Sequence, residues 1–313
     1  MHRPSPRLPH SGIHALALFV ALAATTPCLA ATASADAAAP AAASSTNPAP
    51  EAASSDAQNH NAGANDAPTA QDSLAHWPYM ADPDAYSIAG AASGLSFHKP
   101  MYLEPYTYSP SYNGNRAELV FQISLKLQLF HYPSDGALYA AYTQKSFWEV
   151  YNSKNSRPFR ETNYNPEIFY RYIPDNAATW HHMGIDFGAE HNSNGKGLPD
   201  SRSWNRLYIA PFQATDNHLI RVKFWWRIPQ GDPNAPRTSS DRDDNPDIED
   251  YYGYARLDFE QKFFGDQMLH IMGRYNPGYS RGAIKINYSF PGPGSHFFWG
   301  FFFFNGYGDS LLN

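Results

Sequence analysis

Three polar side chains in one short stretch of the chain could form an activated nucleophile: Ser193, His191 and Asn205. In a β-strand, residues i and i+2 point to the same side, so His191 and Ser193 would be neighbours on one face. If residues 195–203 form the connecting loop, Asn205 stands on the adjacent strand beside His191. A serine, a histidine base and a group that orients the imidazole are the parts of a hydrolytic triad.

The third member of this group is an amide and not a carboxylate. An amide can fix the tautomer of the imidazole, but it stabilises the imidazolium less than a carboxylate does. An additional electrophile is therefore expected to stabilise the oxyanion. The spacing His-x-Ser is a weak pattern by itself, and the same residues could also form an ordinary turn rich in Gly and Asn.

The residues around this group alternate between apolar and polar. Before His191 the apolar set consists of Met183, Ile185, Phe187 and Ala189. This set has the parity of His191 and Ser193, and Asn205 shares its parity with Leu207. The three polar groups would therefore stand on an apolar face. Polar groups that face lipid are costly, so their convergence there needs a functional reason.

The same two-residue period recurs in residues 119–129, 220–226, 251–263 and 284–290. A soluble sandwich could also alternate in this way. Three features favour a transmembrane β-barrel: segments of about ten residues, polar faces carrying acids and bases together, and aromatic residues such as Tyr251-Tyr252 at strand ends. The sequence thus predicts an all-β fold, a transmembrane antiparallel barrel. The recognisable strands are 101–108, 117–130, 137–150, 164–173, 181–193, 204–213, 217–228, 250–263, 267–276, 282–290 and 296–306.

These eleven strands leave the barrel one strand short. An up-and-down bacterial barrel has an even number of strands, and lipid tolerates no unpaired edge. The sequence stops at Asn313, just after the turn-like residues 306–310. We therefore expect twelve strands, of which the last is either missing from a truncated sequence or hidden by an incorrect division of one strand.

Composition divides the rest of the chain into segments. Residues 1–30 have a basic start, a short apolar run and small residues near Ala30, which is typical of a cleaved secretory signal peptide; a membrane anchor is the alternative, but the run is short for a bilayer. Residues 31–70 are rich in Ala, contain no aromatic residue and predict a disordered linker. Residues 71–99 would be a periplasmic N-terminal segment, and residues 100–313 the barrel.

Charge and cysteine content exclude other classes of protein. The formal charge of the 313 residues is −6, and loss of the signal peptide with Arg3 and Arg7 would bring it near −8. Nucleic-acid binding, which usually requires a basic face, is therefore not expected. The only cysteine, Cys28, lies in the predicted signal peptide, so the mature chain would fold without disulfides.

Three motifs resemble the bacterial outer-membrane phospholipase A family (phospholipase A1, OMPLA). The first is HNSNGKGLPDSRSWNRLY, from His191 to Tyr208. The second is YTQKSFW at 142–148, followed by PFRETNY at 158–164 and Pro166, and the third is DDNPD at 243–247. The resemblance covers roughly residues 100–313, and the first two motifs are long and specific.

The resemblance implies a twelve-stranded barrel in the outer membrane, with its active site facing the outer leaflet. The enzyme would hydrolyse acyl esters of phospholipids and lysophospholipids, as a phospholipase A1 and A2. Ser193 would be the nucleophile, His191 the base and Asn205 the residue that orients it, and the Gly195 N–H would contact the oxyanion. Activity would need Ca²⁺ and a homodimer.

The resemblance also implies a set of calcium ligands. They are the carbonyl of Lys196, the side chain of Ser201 and the carbonyl of Ser156 from the partner. Asp244 would belong to a second, monomer-type calcium site, and Gln144 to the dimer contact inside the membrane. Calcium prefers oxygen ligands, and a cation near the ester oxygen would supply the electrophile that a neutral amide does not.

Two residues depart from the family pattern. Lys196 replaces the usual Arg, which a backbone-carbonyl ligand tolerates, and Leu198 stands where the family often has an acid, which weakens the case for the second calcium site. Asp244 could also belong to a solvated acidic loop, and Ser156 could be an ordinary loop serine. The competing function is a catalytically silent outer-membrane barrel or a porin, but nothing in a porin requires Ser, His and Asn on the lipid-facing side. A soluble carbohydrate-binding β protein is the third alternative.

Overall fold

The computed structural model describes residues 17–22, 94–108, 117–132, 136–174, 183–215, 217–264, 267–292 and 297–311. Almost all of them lie in strands, beside one short α-helix, α1 (Ile248–Tyr252), and a 3₁₀ turn at Ser153–Asn155. The strands in these ranges are β1 (Ala17–Leu22), β2 (Leu95–Phe97), β3 (Tyr102–Tyr108), β4 (Ala117–Tyr132), β5 (Gly136–Trp148), β6 (Phe159–Tyr172), β7 (Met183–Ser193), β8 (Ser203–Ala214), β9 (His218–Ile228), β10 (Ala255–Lys262), β11 (Met268–Asn276), β12 (Arg281–Pro291) and β13 (Phe297–Gly306).

The strands form one closed antiparallel sheet. From β3 to β13 each strand pairs with the next one along the chain, and β1 pairs with both β13 and β3, which completes the ring. Strand β2 pairs with the part of β4 that β3 leaves free. In this ring β1 and each of β3 to β13 have a neighbouring strand on both sides, which is the condition for a sheet in lipid.

The distribution of polar and apolar side chains is the reverse of that in a water-soluble protein. The wall turns large apolar side chains outward, among them Ile168, Leu207, Phe224 and Trp226, each exposed. It turns charged side chains inward, where Asp186, Glu190 and Lys223 are buried. A polar interior and an apolar exterior are the pattern of a transmembrane barrel, so the predicted fold class is confirmed.

Ion pairs cross the interior of the barrel. Asp186 accepts hydrogen bonds from Arg171 Nε at 2.8 Å and lies 2.9 Å from Arg221 Nη2. Lys223 Nζ lies 2.5 Å from Glu190 Oε1.

Within the parts of the chain that the structure describes, no helix has the length and apolar character to cross a membrane.

The eleven strands expected from the sequence correspond to β3 to β13. Two of the predicted strands begin at the wrong residue. The predicted strand 164–173 already begins at Phe159. The predicted strand 250–263 begins only at Ala255, because residues 248–252 form α1 and Gly253 ends it with φ +67°. Tyr251 and Tyr252 therefore lie in a helix and not at a strand end. Tyr252 packs edge-on against the buried Trp204 ring, at 5.5 Å between centroids.

The position for which the sequence offered no strand, between β3 and β13, is taken by β1. This strand lies inside the predicted signal peptide, so that prediction stays a prediction, and cleavage near Ala30 would remove β1. The rest of residues 1–30, the predicted linker 31–70 and residues 71–93 lie outside the described residues. The barrel begins slightly before residue 100, because Leu95–Phe97 already pairs with β4.

Alternate connections of an antiparallel meander share one end of the barrel, and three loops at one of these ends surround the residues singled out in the sequence. They join β5 to β6 (residues 149–158), β7 to β8 (residues 194–202) and β9 to β10 (residues 229–254). We refer to them below as the 149–158 loop, the 194–202 loop and the 229–254 loop. The residues singled out in the sequence lie in these loops or in the strands beside them.

Candidate active site

His191 and Asn205 face each other across β7 and β8, where they are register partners. Their side chains form a hydrogen bond of 2.7 Å between His191 Nδ1 and Asn205 Oδ1. The amide oxygen can only accept, so the proton of the neutral imidazole is on Nδ1 and Nε2 carries the free lone pair. The pair thus presents a base, held in one tautomer and one orientation.

Ser193 ends β7, two residues beyond His191, and shares its outward-facing side. Its register partners are Tyr164 on β6 and Ser203 on β8. His191, Ser193 and Asn205 are all partly exposed. Among the described residues no hydrogen bond joins Ser193 Oγ to the imidazole, and contacts of this kind often tighten only when substrate is bound. The structure therefore brings the three residues together on the outer wall, as the strand parity predicted.

The 194–202 loop is organised by Asn194, which the sequence analysis missed. Asn194 is buried, and its Oδ1 accepts hydrogen bonds from the backbone N–H groups of Lys196 (3.2 Å) and Arg202 (3.0 Å). Its Nδ2 donates to the carbonyl of Asp200 at 2.9 Å. One side chain thus links the start, middle and end of the loop. Its position in the sequence, between the predicted nucleophile Ser193 and Gly195, was the feature that could have identified it.

Position 195 requires glycine for two reasons, its backbone conformation and the closeness of a neighbouring side chain. Its φ is +63°, in the left-handed region that favours glycine. A Cβ placed on Gly195 would lie 2.7 Å from the ring of Tyr164. The Gly195 N–H, predicted to contact the oxyanion, is therefore held in a loop that packs directly on the neighbouring strand β6.

Asp244 joins the 229–254 loop to the 194–202 loop. Ser201 Oγ donates to Asp244 Oδ2 at 2.6 Å, and Ser203 Oγ lies 3.1 Å from the same oxygen. Asp243, next in the chain, is buried and ion-paired with Arg227 on β9. Its carboxylate also accepts a hydrogen bond from the backbone N–H of Asn245 at 3.2 Å. Asp243 therefore anchors the loop that presents Asp244 to Ser201.

Oxygen atoms of the kind that a calcium ion requires occur at Ser201 and in its loop. The Ser201 hydroxyl lies against the Asp244 carboxylate, and Lys196, whose carbonyl is a predicted ligand, is partly exposed in the same loop. Leu198, at the position of the family's acid, is exposed and brings no ligand. No group of three or more His, Cys, Asp or Glu side chains suited to a metal occurs among the described residues. The donors thus fit Ca²⁺ in type, but this chain's acids do not enclose it.

Ser156 lies in the separate 149–158 loop and is exposed there. Ser156 and Arg157 have φ values of +62° and +50°, which are unfavourable for residues other than Gly. Hydrogen bonds hold this conformation: Trp148 Nε1 donates to the Arg157 carbonyl at 2.9 Å, and the Arg157 N–H donates to the Asn152 carbonyl at 3.0 Å. This conformation leaves Ser156 exposed at the surface of the loop.

Gln144 lies on the outer face of β5, within a short row of polar side chains. Its Nε2 donates to Ser146 Oγ at 3.1 Å, and Tyr142 OH donates to its Oε1 at 3.2 Å. Ser146 Oγ in turn lies 3.2 Å from Thr162 Oγ1. Such a polar row on a membrane-facing wall agrees with the predicted contact between subunits, which itself stays a prediction.

A family model described as Phospholipase A1 matches residues 88–313. The chain belongs to the phospholipase A1 family. The expected family and the expected enzyme class, a phospholipase, are therefore confirmed. The roles of the individual residues stay predictions.

Members of the phospholipase A1 family are similar to this chain in sequence. Phospholipase A1 of Salmonella typhimurium (strain LT2) is 37% identical over 210 residues, which cover 66% of this chain and 68% of the relative. Phospholipase A1 of Escherichia coli (strain K12) is 36% identical over the same shares. A putative phospholipase A1 of Neisseria meningitidis serogroup B is 33% identical over 262 residues, 75% of this chain and 65% of the relative.

Solved structures of the phospholipase A1 family are similar in fold. The Salmonella typhi outer membrane phospholipase (OMPLA), crystallised as a dimer with bound calcium, has a TM-score of 0.56 and 35% identity, covering 65% of this chain and 77% of that one. Outer membrane phospholipase A from Escherichia coli has a TM-score of 0.54 and 34% identity, covering 64% and 79%.

Proposed function

We propose that this protein hydrolyses acyl ester bonds of phospholipids and lysophospholipids in the outer membrane, in a calcium-dependent reaction. The observation that carries the proposal is the His191–Asn205 hydrogen bond of 2.7 Å on the outer wall, beside Ser193, in a chain of the phospholipase A1 family. A base with a fixed tautomer next to a serine on a lipid-facing surface is suited to an ester substrate that itself lies in the membrane.

The reaction would proceed in two steps. Ser193 Oγ adds to the acyl carbonyl carbon while His191 Nε2 accepts the hydroxyl proton; the ester C–O bond then breaks, and the imidazolium returns the proton to the departing alcohol oxygen. A water molecule next attacks the acyl-serine, with His191 again accepting and returning a proton, and releases the fatty acid. Asn205 Oδ1 holds the Nδ1 proton throughout.

The wall below these residues would hold the acyl chains. On the outer face beside His191, the side chains that pair across the strands with Ala189 and its neighbours are apolar and exposed. They are Ile168 on β6, Leu207 on β8 and Trp226 on β9. The site lies where the wall meets the loops, so the ester group would reach Ser193 while its chains stay in the hydrocarbon. We place this end of the barrel at the outer leaflet.

Calcium would be held by the Lys196 carbonyl, the Ser201 hydroxyl and the carbonyl of Ser156 of the partner subunit, with Asp244 next to Ser201. When bound, the ion would polarise the ester carbonyl and stabilise the oxyanion, a task that the neutral Asn205 does not perform. The Gly195 N–H would donate to the same oxygen. A homodimer joined near Gln144 would bring the 149–158 loop of one subunit to the 194–202 loop of the other.

The interior of the barrel does not favour a porin, because ion pairs such as Arg171–Asp186, at 2.8 Å, cross it.

The decisive experiment is the variant Ser193→Ala, assayed on phospholipid in mixed micelles with calcium. We expect a folded barrel, judged by heat-resistant migration on gels, with hydrolysis at background. Ser289→Ala, a buried serine on β12, is the matched control and should hydrolyse normally. Full hydrolysis by Ser193→Ala would refute the proposal.

A further inference from the structure

The hydrogen-bond ladder between β6 and β7 is interrupted at His191. Tyr164 pairs with Ser193 and Glu167 pairs with Glu190, but the two positions between them are not paired. This register places Pro166 directly across from His191. Proline has no N–H, so it cannot donate the ladder bond that the His191 carbonyl would otherwise accept.

The side chain of Asn165 donates that bond instead. Asn165 Nδ2 lies 2.8 Å from the His191 carbonyl oxygen, and Asn165 is buried on the lumen side of β6. The His191 carbonyl therefore points toward β6. On the opposite side, His191 and Asn205 then form a non-hydrogen-bonded pair, in which side chains of neighbouring strands come closest.

All the polar atoms of the Asn165 amide are used, so its orientation is fixed. Nδ2 also donates to Glu190 Oε2 at 3.2 Å, and Oδ1 accepts from Lys99 Nζ at 2.7 Å. Lys99 Nζ lies 3.0 Å from the buried Glu167 as well. The lumen network thus holds the amide that holds the backbone of His191.

We infer that Asn165 is a positioning residue that acts from inside the barrel on the base at the outer wall. The inference rests on the proposed function, since it assumes that His191 is the base. By fixing the His191 carbonyl, Asn165 sets the direction of the Cα–Cβ bond and so the approach of Nδ1 to Asn205. Without this donor, the His191 carbonyl would instead draw the strand toward another donor or toward water.

The test is a double-mutant cycle with Pro166. Asn165→Ala removes the donor, and we expect kcat to fall roughly ten- to hundredfold with little change in KM, because a misplaced base impairs chemistry more than binding. Pro166→Ala restores a backbone N–H across from His191 and should be close to wild type alone. In the double variant this N–H can replace the amide, so kcat should recover to within about threefold of wild type.

Two further variants separate positioning from general stability. Asn165→Asp keeps the shape but cannot donate from a carboxylate, so it should lose kcat as Asn165→Ala does. Asn163→Ala is the matched control: it removes another buried amide of the same strand and face, whose Nδ2 donates to Glu161 at 2.6 Å and not to β7. It should keep wild-type kcat. The labelling rate of Ser193 by a fluorophosphonate probe should follow kcat in every variant.

The outcomes are distinct. Unchanged kcat in Asn165→Ala and Asn165→Asp, or a double variant as impaired as Asn165→Ala, would overturn the inference while leaving the proposed function intact. Hydrolysis retained by Ser193→Ala in the same assay would overturn the proposed function and this inference together.

Discussion

At the residue scale, the amide of Asn205 holds the imidazole of His191 in one orientation but supplies no charge. Asn205→Ala should lower kcat by about a hundredfold, because the imidazole loses its fixed tautomer. Asn205→Asp keeps an acceptor and should retain more activity than Asn205→Ala. A carboxylate also carries the negative charge that the amide lacks, so it should stabilise the imidazolium that forms during the reaction. Equal kcat in wild type and both variants would contradict the proposed role of Asn205.

The 194–202 loop contains two glycines, Gly195 and Gly197, that should respond differently to a methyl group. Gly195→Ala places a methyl group 2.7 Å from the Tyr164 ring at a φ of +63°, so the loop must move, and with it the N–H that is proposed to contact the oxyanion. We expect kcat to fall roughly a hundredfold, the size seen when one oxyanion donor is lost. Gly197→Ala in the same loop meets no atom within 4 Å and should leave kcat unchanged. Equal activities would show that the Gly195 N–H is not used.

At the scale of elements, the sequence predicted what depends on the two-residue period of a strand. Parity alone placed His191, Ser193 and Asn205 on one outward face, because alternation is a local property. It could not reveal Asn165, which resembles any other lumen-facing polar residue until the register puts Pro166 across from His191. Nor could it predict α1, where the aromatic pair Tyr251-Tyr252 suggested a strand end.

At the same scale, we expect the position of the 229–254 loop to depend on Asp243. Asp243 ties this loop to Arg227 on β9, so Asp243→Asn should free it and, through Asp244, loosen Ser201. We expect faster proteolysis within residues 229–254 and roughly tenfold lower activity at limiting calcium, with the barrel still folded on gels. Asp247→Asn, an exposed acid in the same loop, is the control and should match wild type. An undisturbed loop in Asp243→Asn would refute the anchoring role.

At the scale of the whole molecule, the inside-out distribution of side chains was predictable, but closure of the ring was not. Alternation in β3 to β13 is visible in the sequence because each strand exposes one face to the lumen. The seam between β3 and β13 is filled by Ala17–Leu22, a segment that the sequence marks as part of a signal peptide. Composition assigns such a segment to export and contains no information about which strands need a neighbour.

A single barrel would offer too few oxygen ligands for the proposed calcium site, so activity should require a dimer. A calcium ion takes about six to eight oxygens, and the Lys196 carbonyl and the Ser201 hydroxyl provide only part of that set. Two-fold symmetry would give two composite sites, each with the carbonyl of Ser156 of the partner subunit. By mass action, activity should then depend on protein concentration in the membrane or micelle, since dissociated barrels would bind calcium weakly.

Crosslinking tests this dependence. In a Cys28→Ala background, a Gln144→Cys barrel oxidised to a disulfide dimer should stay active at a detergent-to-protein ratio that dissociates wild type, with millimolar calcium in both samples. EDTA should abolish that activity and leave heat-resistant migration intact, because the wall needs no metal. Ile284→Cys, an outward position on β12 across the barrel, is the control, and its crosslinked dimer should be as inactive as the monomer. Wild-type monomers that match the Gln144 dimer would show that each barrel holds a complete site.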